Sequence, residues 1–283
     1  MNARRSKTDR VESPQPNTLY RDTSDTFSGQ AIMRDRDASR RLAALYERLL
    51  KRFGRQNWWP ADSSFEVIVG AILTQQSSWK NVEKAIANLK EENMLTPQRI
   101  ATAKIETLEW LVRPSGFYRQ KALRLKNFSK FLLEKYHGEL DSLFSQDLDT
   151  LRRELLSLNG VGHETADSII LYAANKPTFV VDAYTVRILG RLGILSEKAY
   201  DTVQKYLHAN IPNDVQHYKE FHALLVRLAK ENCRTRPACD GCPLAGVCAY
   251  ELKEQDHKVV TDEDRRGFSP SHAEGPAVDK SNI

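Results

Sequence analysis

Apolar residues near the start of the chain recur with the period of a helix. Leu42, Leu45, Leu49 and Leu50 fall along one side of the segment Ala38–Phe53, with charged residues between them, and predict an amphipathic helix. Trp58-Trp59-Pro60 ends the following connection, and Ser64 then caps a helix whose apolar positions are Phe65, Val67, Ile68, Ile72 and Leu73. Similar spacing predicts helices around Trp79–Lys90, Thr96–Ala103, Glu106–Val112, Tyr118–Tyr136, Leu148–Ser157 and Ala183–Leu192. Alternating β-branched runs are scarce, and Val180-Val181 is the one short β-like stretch. The pattern predicts an all-α fold.

Between two of these helices stands Leu158-Asn159-Gly160-Val161-Gly162-His163-Glu164-Thr165-Ala166. An apolar-x-Gly-Val-Gly turn is too tight for ordinary side chains, and positive φ is expected at Gly160 and Gly162. The N–H groups that open the second helix, from His163 to Thr165, then point outward, where the helix dipole favours an anion. The stretch reads as a phosphate-binding helix-hairpin-helix, with Leu158, Gly160, Val161, Gly162, His163 and Thr165 as its DNA-binding residues. A helical hairpin with a glycine turn also occurs without any ligand.

Eighteen residues past Glu164, Pro177-Thr178-Phe179-Val180-Val181 delivers Asp182 to the start of a new helix. Aspartate is a common N-cap and needs no further duty there. The same carboxylate, kept ionised by the helix N-terminus, can also stabilise positive charge developing on a substrate.

The 283 residues suffice for one or two cores of ordinary size. A net charge of +5 and a pI near 8.9 suit a polyanionic partner without identifying one. No stretch approaches the length of apolar sequence that a membrane-spanning helix needs. Residues 1–36 are polar and lack the apolar core of a secretory signal, so a disordered arm is expected, with a disordered tail over 253–283. A cytoplasmic, nucleoid-associated monomer is the expectation.

All four cysteines, Cys233, Cys239, Cys242 and Cys248, lie within sixteen residues in the pattern C-x5-C-x2-C-x5-C. Four thiolates so close can surround zinc or an iron–sulfur cube, and spacing alone permits either.

The hairpin, the aspartate and the cysteine cluster, in that order, resemble the endonuclease III superfamily of base-excision DNA glycosylases, over roughly residues 40 to 250. The resemblance implies a two-domain fold. Residues 60–173 would form a six-helix barrel carrying the hairpin; 37–59 and 174–252 would form a second helical domain carrying the cysteine loop. It implies double-stranded DNA with a damaged base as partner, Asp182 as catalytic carboxylate, and a [4Fe–4S] cluster on the four cysteines. The family's usual first cysteine gap is one residue longer, which keeps zinc as the alternative. Gln76 is placed where the family fills the gap left by a flipped nucleotide.

Glu164 stands where bifunctional members carry a Schiff-base lysine. A carboxylate cannot form that imine, so a monofunctional, water-using enzyme without AP lyase activity is expected. Trp58 and Trp59, Glu164 and the Gly-His-Glu-Thr-Ala run resemble the 3-methyladenine branch. That branch implies an aromatic pocket for alkylated purine, with Lys230 at a pocket-lining position. The alternatives are an enzyme for oxidised pyrimidine or mismatched adenine with lyase activity, and a non-catalytic DNA-binding protein.

Overall fold

The computed structural model describes residues 35–252. The expected arm and tail lie outside this span, apart from residues 35 and 36. Twelve helices follow one another, and among the described residues there is no β-strand. Val180-Val181 is instead a buried irregular connection, at 1% and 3% exposure, that leads into Asp182.

Helix α1 (Arg36–Phe53) buries Ala38, Leu42, Leu45 and Leu49. Helix α2 (Ser64–Leu73) is buried on every side from Phe65 to Leu73, as befits a central helix. Its cap is Ser63, whose Oγ accepts from the Glu66 amide at 3.1 Å; Ser64 lies one residue inside. The extended backbone at Ser63 puts its hydroxyl within reach of that amide.

Around α2 lie α3 (Trp79–Glu91), α4 (Pro97–Thr102), α5 (Ile105–Val112), a 3₁₀ turn (Arg113–Ser115), α6 (Tyr118–Tyr136), the short α7 (Leu140–Phe144) and α8 (Leu148–Ser157). Helix α9 (His163–Ser168) continues as a π-helical turn (Ile169–Ala173), and both touch α2. A second group comprises α10 (Ala183–Arg191), α11 (Tyr200–Asn210) and α12 (Val215–Glu231). Helix α1 packs on α11 and α12, so the start of the described chain joins its end, and α12 also touches the π turn. Ile68, Ile72 and Leu73 are fully buried, and truncating any one to alanine should cost about 2–5 kcal/mol.

Candidate active site

The hairpin turn takes its shape from one glycine. Gly160 sits at φ +83°, and a Cβ there would strike the Arg124 side chain. Gly162 does not share that conformation: its φ is −92° and ψ 179°, so the expected positive φ at this position is corrected. What Gly162 supplies is room, since nothing lies within 4 Å of where its Cβ would be. Val161 is buried and Leu158 partly so, and the Val161 amide donates to the Leu158 carbonyl at 3.0 Å.

Two further hairpin side chains are engaged by neighbouring residues. The Thr165 hydroxyl accepts from Gln75 Nε2 at 2.8 Å. His163 Nδ1 lies 2.9 Å from Arg152 and 3.4 Å from Asp201, and its ring rests on Tyr200. His163 and Thr165 can thus offer an anion their backbone N–H groups; their side chains are engaged elsewhere. Behind them Asp167, wholly buried, takes two bonds from Arg152 (2.8 and 3.1 Å), one from Tyr200 (2.7 Å) and one from Gln204 (2.8 Å). This network locks α8, α9 and α11 together, and no sequence pattern announced it.

Asp182 caps α10. Its Oδ1 accepts from the Thr185 amide (2.7 Å) and the Thr185 hydroxyl (2.8 Å), while Oδ2 faces His222 Nε2 at 3.7 Å. Burial alone would raise the Asp182 pKa. The nearby His222 ring and the two Thr185 bonds outweigh it and hold the carboxyl below its ordinary value. Glu164 behaves oppositely. Its side chain retains solvent access, yet protein surrounds much of it. Desolvation raises its pKa, the Asp182 charge raises it further, and His222 offsets only part.

Trp58, Trp59 and Trp79 form a three-ring cluster with centroids 4.5–5.4 Å apart. The Trp59 ring lies across Gly70 of α2, which leaves no room for a side chain there. On its other side it meets Tyr172 at 5.3 Å, and the Tyr172 hydroxyl bonds His222 Nδ1 at 2.7 Å. A continuous line therefore runs from the indoles through Tyr172 and His222 to Asp182, with Glu164 electrostatically coupled to it. Sequence reasoning missed both linking residues. A histidine among the mixed buried positions of α12 and a tyrosine in an apolar run carry no distinguishing local signal.

Lys230 is exposed in the last turn of α12, eight residues past His222, or roughly 12 Å along the axis, and three residues before Cys233. The basic face of α6 also resolves into separate parts. Lys121 is buried, donating to the Leu73 carbonyl (2.9 Å) and the Ser115 carbonyl (2.7 Å); Arg124 bonds Gln75, and Lys126 bonds the Ala103 carbonyl. Gln76 is exposed, at φ +51°, three residues past the Leu73 carbonyl that Lys121 holds. Two residues beyond the other tether point lies Phe117, 59% exposed.

The four cysteines line one cavity together with Ile188, Leu192, Leu228 and Leu244. Arg191 Nη1 lies 3.2 Å from Cys233 Sγ, and Arg187 holds the Cys233 carbonyl. Burial raises the Cys239 and Cys242 thiols, and the neighbouring cysteines raise them further. Thiols that oppose one another's ionisation suit a cationic metal centre that would relieve the repulsion. The donor set thus fits a thiolate-held centre, although among the described residues no three His, Cys, Asp or Glu side chains gather as a ready-made single-ion site.

A glycine hairpin, a capped aspartate linked through His222 and Tyr172 to three indoles, and a cysteine loop, all on a helical scaffold, define a class of DNA base-excision proteins. The family described as "HhH-GPD superfamily base excision DNA repair protein" matches residues 69–213, and the chain belongs to that superfamily. It is 52% identical over 207 residues to the provisionally named DNA repair glycosylase MJ1434 of Methanocaldococcus jannaschii, spanning 72% of this chain and 94% of that one. It is similar to the solved H. pylori 3-methyladenine DNA glycosylase bound to 1,N6-ethenoadenine (30% identity, TM-score 0.60, 69% of this chain, 97% of that one). It is also similar to a non-covalent endonuclease III–DNA complex (26% identity, TM-score 0.67, 77% and 98%). The protein is a DNA glycosylase of base excision repair that binds DNA.

Proposed function

We propose that this glycosylase hydrolyses the N-glycosidic bond of a cationic alkylated purine such as 3-methyladenine, without AP lyase activity. The observation that carries this reading is Glu164. Desolvation raises the pKa of its carboxyl, and the charge of the Asp182 carboxylate raises it further. A cation between the two relieves the repulsion. The indoles, linked to Asp182 through Tyr172 and His222, favour the same ligand, since a cation over an indole face gains roughly 0.5–2 kcal/mol. Similarity to the H. pylori enzyme supports the assignment.

In this reading the phosphate of the flipped nucleotide sits on the amides beyond Gly162, and Gln76 enters the gap left in the duplex. Asp182, held ionised, faces the deoxyribose as the bond to the base lengthens and positive charge grows on the sugar. The departing base takes the bonding electrons and becomes neutral, so little general acid is needed. Water completes the reaction at the sugar carbon, oriented by Asp182 Oδ2. Cys233, Cys239, Cys242 and Cys248 would hold a [4Fe–4S] cluster that braces this loop as a structural centre.

Base release from duplexes carrying single lesions, with and without heat-alkali, tests the reading. Heat-alkali separates abasic-site formation from strand nicking. Asp182→Asn should abolish release while affinity for an abasic-site duplex is retained. A pure binding protein would lose nothing. The second reading, release of oxidised pyrimidine, is favoured by the similarity to the endonuclease III complex. Rapid loss of thymine glycol with 3-methyladenine untouched would decide for it.

A further inference from the structure

Asp182 has one oxygen that its own helix does not hold. Both bonds from Thr185 end on Oδ1. The atom facing Oδ2 is His222 Nε2, buried and without any hydrogen-bond partner at its present 3.7 Å separation. Such an orphan is uncommon inside a protein and costs the desolvation of a polar group. A sub-ångström movement of either side chain would complete the bond. The opposite ring nitrogen, Nδ1, is already engaged by the Tyr172 hydroxyl at 2.7 Å, and that hydroxyl also lies 3.3 Å from the Lys219 carbonyl.

The bonding possibilities limit where the proton sits. If the Tyr172 hydroxyl donates to Nδ1, a neutral ring carries its proton on Nε2. If instead the hydroxyl donates to the Lys219 carbonyl, Nδ1 must carry a proton to bond Tyr172, and a charged ring carries one on Nε2 as well. Both arrangements aim an N–H at Asp182. Only the remaining neutral tautomer would turn a lone pair toward a carboxylate, an unfavourable pairing.

We propose that His222 is a positioning residue for Asp182: its Nε2–H, aimed by the Tyr172 hydroxyl, fixes the carboxylate oxygen that α10 leaves free. This rests on Asp182 carrying the reaction. The charged and titratable groups facing the ring are Asp182 from the start of α10, Tyr172 from the π turn and Glu164 from α9, with Lys219 of α12 itself beside Tyr172. Lys219 Nζ lies over the Tyr172 ring at 5.9 Å.

The test is single-turnover base release against pH, on whichever lesion duplex the protein cleaves fastest. It is run in a Glu164→Gln background so that Asp182 is the carboxyl left to titrate. His222→Ala should slow release by up to about a hundredfold, the scale of a misplaced catalytic group. It should also move the acid limb to higher pH, with binding to an abasic-site duplex unchanged. His222→Gln, whose amide N–H can reach the same oxygen, should restore most of the rate. Tyr172→Phe removes one oxygen atom and should move the limb in the same direction by less; it carries the test if His222→Ala does not fold. An unmoved acid limb in these variants, or equal losses in His222→Ala and His222→Gln, would overturn the proposal. If Asp182→Asn itself remains active, the catalytic assignment of Asp182 and this proposal fall together; if it is dead while His222 variants are unaffected, only the proposal falls.

Discussion

Gln75 and Gly160 are joined across the molecule: the Gln75 side-chain amide donates to the Gly160 carbonyl at 2.9 Å and, from the same nitrogen, to Thr165 in the next helix. The end of α2 is thereby fastened to the hairpin, and the neighbouring Gln76 is left exposed. Adjacent glutamines thus have opposite roles. Gln75→Ala should destabilise the fold by about 1–3 kcal/mol, because buried hairpin groups lose their partner. Gln76→Ala should leave thermal stability within about 0.5 kcal/mol of the parent and instead weaken release from a lesion duplex. Melting curves and release assays on both variants check this; a destabilised Gln76→Ala would contradict it.

Glu164 predicts the acid limb of the enzyme. Its carboxyl is raised by desolvation and by Asp182, whereas Asp182 is itself held low. Attraction for a cationic base is present above the raised Glu164 pKa and is lost as pH falls through it. Release of 3-methyladenine should therefore decline on acidification before Asp182 protonates. Glu164→Gln should lower the rate and shift the limb to lower pH, with abasic-site affinity little changed. A limb that stays in place would assign it to another group.

Borohydride should trap no covalent adduct between the protein and a lesion duplex, since Glu164 replaces the amine that would form the imine. Lys121 is too enclosed to substitute, at 1% exposure. Efficient trapping, followed by mapping of the linked lysine, would overturn the monofunctional reading.

Lys121 also predicts a dependence of stability on pH. Its pKa is lowered by burial, and by nearby Arg124, from an ordinary 10.5 to about 8. Below pH 8 both folded and unfolded chains hold the proton, and the folded state bears the full cost of a buried charge. Between about pH 8 and 10.5 the unfolded chain holds more protons, so this group's contribution raises stability with pH. At ~1.4 kcal/mol per pH unit the gain reaches up to about 3 kcal/mol. Urea midpoints across this range should rise more steeply in the parent than in Lys121→Met; parallel curves would refute it.

The cysteine loop gives the fifth measurement. Protein purified without oxygen should be yellow-brown with broad visible absorbance and about four irons per chain. Cys239→Ser should bleach it and lower the melting temperature. Colourless protein holding one zinc would show that C-x5-C-x2-C-x5-C selects a tetrahedral ion in this chain.

Much of the scaffold was legible because periodicity is local. A helix such as α6 was read at its full extent, Tyr118–Tyr136, since its apolar spacing declares it. Helices α11 and α12 went unread. The α12 face that includes His222 mixes polar with apolar positions, and α7 has only five residues.

The sequence by itself determined the helical class, the hairpin, the cap at Asp182, the exchange of an amine for Glu164 and the cysteine donor set. Each is a short-range matter of residue type and spacing. Only the tertiary structure decided what surrounds them. It brings Tyr172 and His222, fifty residues apart, between the indoles and Asp182; it turns Gln75 inward and buries Lys121. It also drives Glu164 and Asp182 in opposite directions of acidity. Those outcomes depend on desolvation and on charges from distant segments, and both arise only when the helices pack.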